Sequence, residues 1–236
     1  MKGYTRRGSF ERNPALDVPP RRSVATGNTR IDPRHRFNLI ARTGLYDPLT
    51  ALSFGRAGRR MHRELVVAAG LEPGAHVLDV ACGPGRNLPL LLDAVGPGGR
   101  VVGVDISSSM LLRARSRAID AELLEADISD GLPFGDGMFD AVVSSFGLSC
   151  VPRISPALDE ILRVLRPDGV IAVADARMVN WHPRPLGALV TAAVSPFNSW
   201  YPERDVAAIV EARGMVVQRL PTSSDAFVLF KALRPT

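Results

Sequence analysis

The chain reads as an α/β protein built on a doubly wound, mostly parallel seven-stranded sheet, and three observations predict this. Short apolar runs alternate with helical segments along residues 76–175. The first run opens directly into a glycine-rich turn and then a helix, at HVLDVACGPGRNLPLLL (76–92). The runs are dense in Val, Leu and Ile, as in strands buried on both faces. Right-handed crossovers between such strands place a ligand crevice at their carboxyl ends.

Taken in order, residues 1–33 carry Pro14, Pro19, Pro20 and Pro33 without a sustained apolar period, and are expected to be a basic, disordered tail. Residues 34–70 are expected to form an N-terminal helical cap: Met61, Leu65 and Ala68 recur at helical spacing, and Gly70 stands where the helix should stop. The α/β domain proper then runs over 71–236. Strands are predicted at 76–80, 100–105, 121–127, 139–146 and 170–175, and helices at 86–95, 107–118 and 156–166. Ser107, Ser108 and Ser109 are available as caps for the second helix. Pro167-Asp168-Gly169 is expected to close the third helix, and a further helix is predicted over 202–213. Residues 215–220 and 226–232 read as a closing antiparallel hairpin.

The composition sets bounds. With 236 residues, 46% hydrophobic and 22% charged, the chain can bury a core without disulfides or a structural metal. Two cysteines, Cys82 and Cys150, fit a reduced, cytoplasmic setting. No apolar run approaches the roughly 18 residues that span a bilayer. The net charge of +5 is a property of the tail: residues 1–36 hold nine Lys/Arg against three acids, which leaves the remainder at −1. A basic arm suits anionic lipid or a solvated leader, so peripheral membrane contact stays open. The body lacks a basic stripe with interleaved aromatics, so no nucleic-acid partner is expected.

The glycine loop is the most informative segment. Gly83 and Gly85 permit a tight turn and close approach of a ligand to the backbone. A dinucleotide fingerprint needs a third glycine where Leu88 stands, so a pyrophosphate cradle is disfavoured. Asp79, four residues before Gly83, would repel a phosphate and suits an ammonium group. Asp105 ends the next strand twenty residues after Gly85, where a carboxylate can take both hydroxyls of a ribose. A nucleoside without phosphates, bearing a cationic amino-acid portion, fits: S-adenosylmethionine. Structural alternatives stay open for each acid alone, with Asp79 as a structural acid, Asp105 as a helix cap and Asp127 as a turn former.

Four segments, LDVACGPG (78–85), VVGVDISSSML (101–111), EADISDGLPFGDGMFDAVVSSFGL (125–148) and ILRVLRPDGVIAVAD (161–175), stand in the order found in class I S-adenosylmethionine-dependent methyltransferases, which the chain resembles over residues 44–236. The resemblance implies S-adenosyl-L-methionine as cofactor and S-adenosyl-L-homocysteine as product. It places Asp79, Ala81, Gly83 and Gly85 at the donor loop, with Asp105 and Ile106 at the ribose. Met110, Asp127 and Ile128 fall at the adenine, and Ser144 to Phe146 beside the methionine portion. Tyr46 is expected to close over that portion.

YDPLTALSFGRAGRRMHREL (46–65) and SSFGLSCV (144–151) are similar to segments of the ubiquinone/menaquinone C-methyltransferases, and related phospholipid N-methyltransferases share much of this pattern. Ser149-Cys150 and ARMVNWHPRP (176–185) depart from it. The acceptor is therefore expected to be a small, rather apolar molecule of the quinone, polyketide or lipid-like class, with a phospholipid N-methyltransferase as the alternative and a nucleic-acid or protein methylation module behind it. Residues 176–201, with Trp181, LGALVTAAV (186–194), Phe197, Trp200 and Tyr201, are expected to form a lid. Of the four histidines, His182 in that lid is the candidate base, whereas His62 reads as solvated or capping and His76 as structural. No metal-ligand spacing and no nucleophile elbow is present, and Cys150 reads as a core thiol.

Overall fold

In a computed structural model of the chain, the residues described are 33–43, 46–176, 201, 204–223 and 227–235. Seven strands form one sheet: β1 (His76–Val80), β2 (Arg100–Asp105), β3 (Glu122–Glu125), β4 (Phe139–Ser145), β5 (Leu165–Ala176), β6 (Val216–Leu220) and β7 (Phe227–Leu233). Their order is β3-β2-β1-β4-β5-β7-β6. The first five pair in parallel, and β7 runs antiparallel to both of its neighbours. The chain leaves β1 toward β2 on one side and returns to β4 on the other, so β1 and β4 flank the point where the winding reverses.

Side-chain alternation divides the core into two layers. Leu78, Val80, Val102, Val104, Val142, Ile171, Val173 and Phe230 face α5 (Ile154–Val164) and α6 (Val206–Glu211). Val77, Val101, Val143, Ala141, Ala172 and Ala174 face α2 (Tyr46–Ala69), α3 (Leu88–Val95) and α4 (Ser108–Arg117). Alanines on the second face let Met61 and Leu65 of α2, both fully buried, lie low on the sheet. Phe139, also fully buried, meets Phe134 edge-to-face at 5.1 Å. Phe139→Ala is expected to cost about 3–5 kcal/mol of unfolding free energy, measurable by urea denaturation.

Several boundaries differ from the sequence reading. The cap comprises two helices, α1 (Pro33–Arg42) and α2, and α2 is broken at Gly55, whose φ of 47° and ψ of −127° are not helical. The third predicted helix ends at Val164, before Pro167-Asp168-Gly169, and β5 starts at once. Phe139 pairs with Leu165 but Ala141 with Val170, so residues 166–169 bulge from β5 instead of closing a helix. Phe139 packs in the same core layer as Val142. The helix expected over 202–213 is only α6, six residues, with Asp205 capping it through Ala208 N at 3.1 Å. Ser107 caps α4 through Met110 N, and its hydroxyl donates to Asn38 Oδ1 of α1 at 2.7 Å. The expected basic tail and nearly all of the expected lid lie outside the described residues, as does His182. Among the described residues no helix is long and apolar enough to cross a membrane.

Candidate functional site

The carboxyl end of β1 turns sharply into the glycine loop. Ala81 sits at φ 52°, a conformation that costs a residue with a Cβ and gathers at functional sites. Gly83 and Gly85 follow at φ 54° and 77°. A Cβ on Gly83 would meet nothing within 4 Å, whereas one on Gly85 would stand 2.8 Å from Ala114 Cβ. The two glycines thus do different work. Gly85 lets α4 pack against the loop, and Gly83 leaves space beside the backbone.

Asp105 closes the loop from below. Its Oδ2 accepts from Gly83 N at 2.8 Å and its Oδ1 from Ser107 N at 2.9 Å. Burial pushes this carboxyl up to about 6, against the pull of the Ser107, Gly83 and Ile106 N–H groups. With three N–H groups on a carboxylate that offers about four acceptor positions, one position remains for a ligand. Ser107, and not Asp105, is the cap of α4.

Asp79 is fully buried at the site. Oδ1 accepts from Asn87 Nδ2 at 3.1 Å, and Oδ2 has no hydrogen-bond partner among the described residues. Burial raises its carboxyl to about 7, with the Asn87 hydrogen bond opposing and the Asp105 charge adding to the rise. A buried carboxylate oxygen without a donor is costly and calls for a cationic or hydrogen-bonding ligand. Asn87 stands at the N-cap position of α3 yet makes no side-chain cap bond. Its carboxamide points instead to Asp79, to Ser145 Oγ at 3.0 Å and to His62 Nδ1 at 2.7 Å. The sequence reading gave no site role to Asn87 or His62. His62 is buried, neither solvated nor capping; desolvation lowers its pKa against the Asn87 hydrogen bond, with Arg86 adding to the fall.

At the end of β4, Ser144 Oγ donates to Val80 O at 3.0 Å, tying the two central strands together. Phe146 adopts φ 57°, with its N–H donating to Ala174 O at 2.8 Å. Its ring meets His62 edge-on at 5.8 Å and Phe227 at 5.4 Å. A Cβ on Gly147 would lie 2.6 Å from Ala81 Cβ, so the ends of β1 and β4 touch through a missing side chain. Met110 and Ile128 are buried and Ile106 half-buried. Asp127 caps a short 3₁₀ turn through Ser129 N at 2.8 Å and lies 3.4 Å from Arg153. Asp175, near the end of β5, accepts from Ser149 N at 3.1 Å and Ser149 Oγ at 2.8 Å. Burial, reinforced by Asp175, lifts Cys150 to about 12, which keeps it a thiol. Tyr46 opens α2, and its side chain lies outside the described residues. Among the described residues no His, Cys, Asp and Glu grouping could hold a metal.

Comparison with known proteins agrees with this geometry. Residues 77–169 match a family described as a methyltransferase domain. A demethylmenaquinone methyltransferase of Symbiobacterium thermophilum is 38% identical over 141 residues, 58% of this chain and 55% of that protein. This chain therefore aligns with little more than half the length of that relative. A SAM-dependent methyltransferase of Aquifex aeolicus superimposes with a TM-score of 0.61 at 22% identity, covering 86% of this chain and 97% of that one. Phosphoethanolamine N-methyltransferase 2 of Haemonchus contortus, solved in complex with S-adenosyl-L-methionine, gives 0.66 at 16% identity, covering 87% of this chain and 60% of its own. At those identities the two structures speak to the fold.

Proposed function

Because the chain belongs to the class I S-adenosylmethionine-dependent methyltransferases, we propose that it transfers the methyl group of S-adenosylmethionine to a small, rather apolar acceptor of the quinone, polyketide or lipid-like class. The observation that carries the reading is the buried, partnerless Oδ2 of Asp79 at the mouth of the glycine loop. The donor's ammonium group supplies what that oxygen lacks, and the acceptor position that remains on Asp105 suits a ribose hydroxyl. Space beside Gly83 accommodates close approach to the backbone. In this reading Ala81, Gly83 and Gly85 shape the loop, Ile106 lies at the ribose, and Met110, Asp127 and Ile128 border the adenine. Ser144, Phe146 and Tyr46 flank the methionine portion.

The donor supplies an electrophilic methyl on a sulfonium, so the chain's task is alignment in a dry site. Asp79 and Asp105 anchor the two ends of the donor from adjacent strands of a rigid parallel sheet. Phe146, wedged between His62 and Phe227, presents an apolar wall beside them. A proton acceptor is needed only where the acceptor atom carries a proton, and His182 is the candidate. The name of the Symbiobacterium relative supports the quinone-like end of the acceptor range.

The test supplies methyl-labelled S-adenosylmethionine with an extract of small apolar metabolites and partitions products between organic solvent and water. Label in the organic phase is the expected result. Label confined to water would overturn the apolar acceptor while leaving methyl transfer itself standing.

A further inference from the structure

We propose that His62 is a positioning residue for the methyl donor: acting through Asn87, it fixes the direction in which the Asp79 carboxylate meets the donor's amino group. The inference rests on the donor reading above and assigns a role to a side chain that contributes nothing to the loop itself.

The argument starts from Asn87. An asparagine at the start of a helix ordinarily satisfies the helix's own free N–H groups. The side chain of this one makes no such bond, and its hydrogen bonds go to residues outside the helix. With Asp79 ionised, Asp79 Oδ1 can only accept, so the 3.1 Å contact makes Asn87 Nδ2 the donor. The same nitrogen gives its second proton to Ser145 Oγ at 3.0 Å. Asn87 Oδ1 must then accept, and the 2.7 Å contact makes His62 Nδ1 a donor. Donation thus runs in one direction along four residues from α2, the N-cap of α3, β1 and β4. Ser145 cannot set that direction, since a hydroxyl donates or accepts equally well.

Two further observations hold His62 in this part. Its ring stands edge-on to Phe146 at 5.8 Å and an interplanar angle of 85°, a packing that favours the observed orientation of the imidazole. Its burial disfavours the charged ring, so a neutral tautomer with the proton on Nδ1 serves. Without that N–H, Asn87 Oδ1 is left buried without a donor and the carboxamide is free to turn about its last bond. Asp79 then loses the one donor that favours its ionised form among the described residues, and its grip on an ammonium group weakens. A ligand lacking that group should not notice.

The experiment measures binding of S-adenosylhomocysteine, and of its analogue lacking the α-amino group, to the full chain by calorimetry. His62→Leu is expected to weaken S-adenosylhomocysteine about ten-fold and to leave the deaminated analogue unchanged. His62→Asn, whose amide nitrogen falls near the Nδ1 position, is expected to restore binding. His62→Gln, which reaches toward Nε2, is expected not to. The Asn and Gln pair carries the same comparison if the leucine variant does not fold. Equal losses for both ligands, no loss at all, or rescue by Gln as well as Asn would overturn the role of His62. Wild-type protein that binds neither ligand would instead overturn the donor reading on which it rests.

Discussion

Asp79→Asn is expected to weaken S-adenosylhomocysteine binding by about 100-fold or more, because a buried charge-assisted contact is replaced by a neutral one. The same substitution should reshape the pH dependence of stability. The Asp79 carboxyl is raised to about 7 in the folded chain, against about 3.9 when unfolded. Between those values the folded state holds a proton that the unfolded state has lost. Stability therefore falls as pH rises through this window, on the order of 1 kcal/mol per unit, and levels off above about 7. The asparagine variant lacks this slope. Urea titrations at pH 5, 6, 7 and 8 should show the variant gaining on the wild type as pH rises. In the wild type, ligand affinity should improve toward pH 7–8 as the carboxyl ionises, with a proton released on binding at lower pH. Parallel stability profiles for the two proteins would remove the buried ionisation from the account.

Gly85→Ala is expected to cost about 2–4 kcal/mol of stability. The position has φ 77°, and the added carbon would stand 2.8 Å from Ala114 Cβ and 2.9 Å from Ala114 Cα. Backbone on a packed helix cannot yield as a flexible side chain can, so α4 must move off the loop. Gly83→Ala provides the contrast. At φ 54° with nothing within 4 Å, it should cost only about 1 kcal/mol, from backbone strain. Its methyl group would nevertheless occupy the space assigned to the donor, so binding should suffer more than folding. Thermal melts and S-adenosylhomocysteine titrations on both variants separate the two effects. Equal melting temperatures for the pair would sink the packing role given to Gly85.

The strands were legible because a parallel strand buried on both faces is apolar almost throughout, as β1, β2 and β4 are. The donor loop was legible for a related reason: its glycines and its acids lie within one short stretch or at strand ends that the topology must align. The bulge in β5 was not. Pro-Asp-Gly is equally good as a helix stop or as an outward loop, and only pairing with β4 distinguishes them. His62 and Asn87 were hidden by distance, 25 residues apart, with no local signal in either. Asn87 also occupies a position where local rules already explain an asparagine, so nothing in the sequence asks for a second function. The assignment of a cap to α4 was legible because three serines stood together; which acid would be freed from capping followed only from the contacts of Asp105.

The placement of β7 between β5 and β6 has a consequence for the chain as it is made. The ribosome releases β6 before β7, yet β6 has no partner in the sheet until β7 arrives. The earlier five strands can pair in the order in which their neighbours emerge, but the far margin must wait for residues 227–233. During synthesis Ile171, Ala172, Val173 and Ala174 are therefore open along one edge of β5, a template for any other extended segment nearby. The last step of closure is an insertion, and a nascent chain stalled before it would carry the whole donor loop on an unfinished sheet.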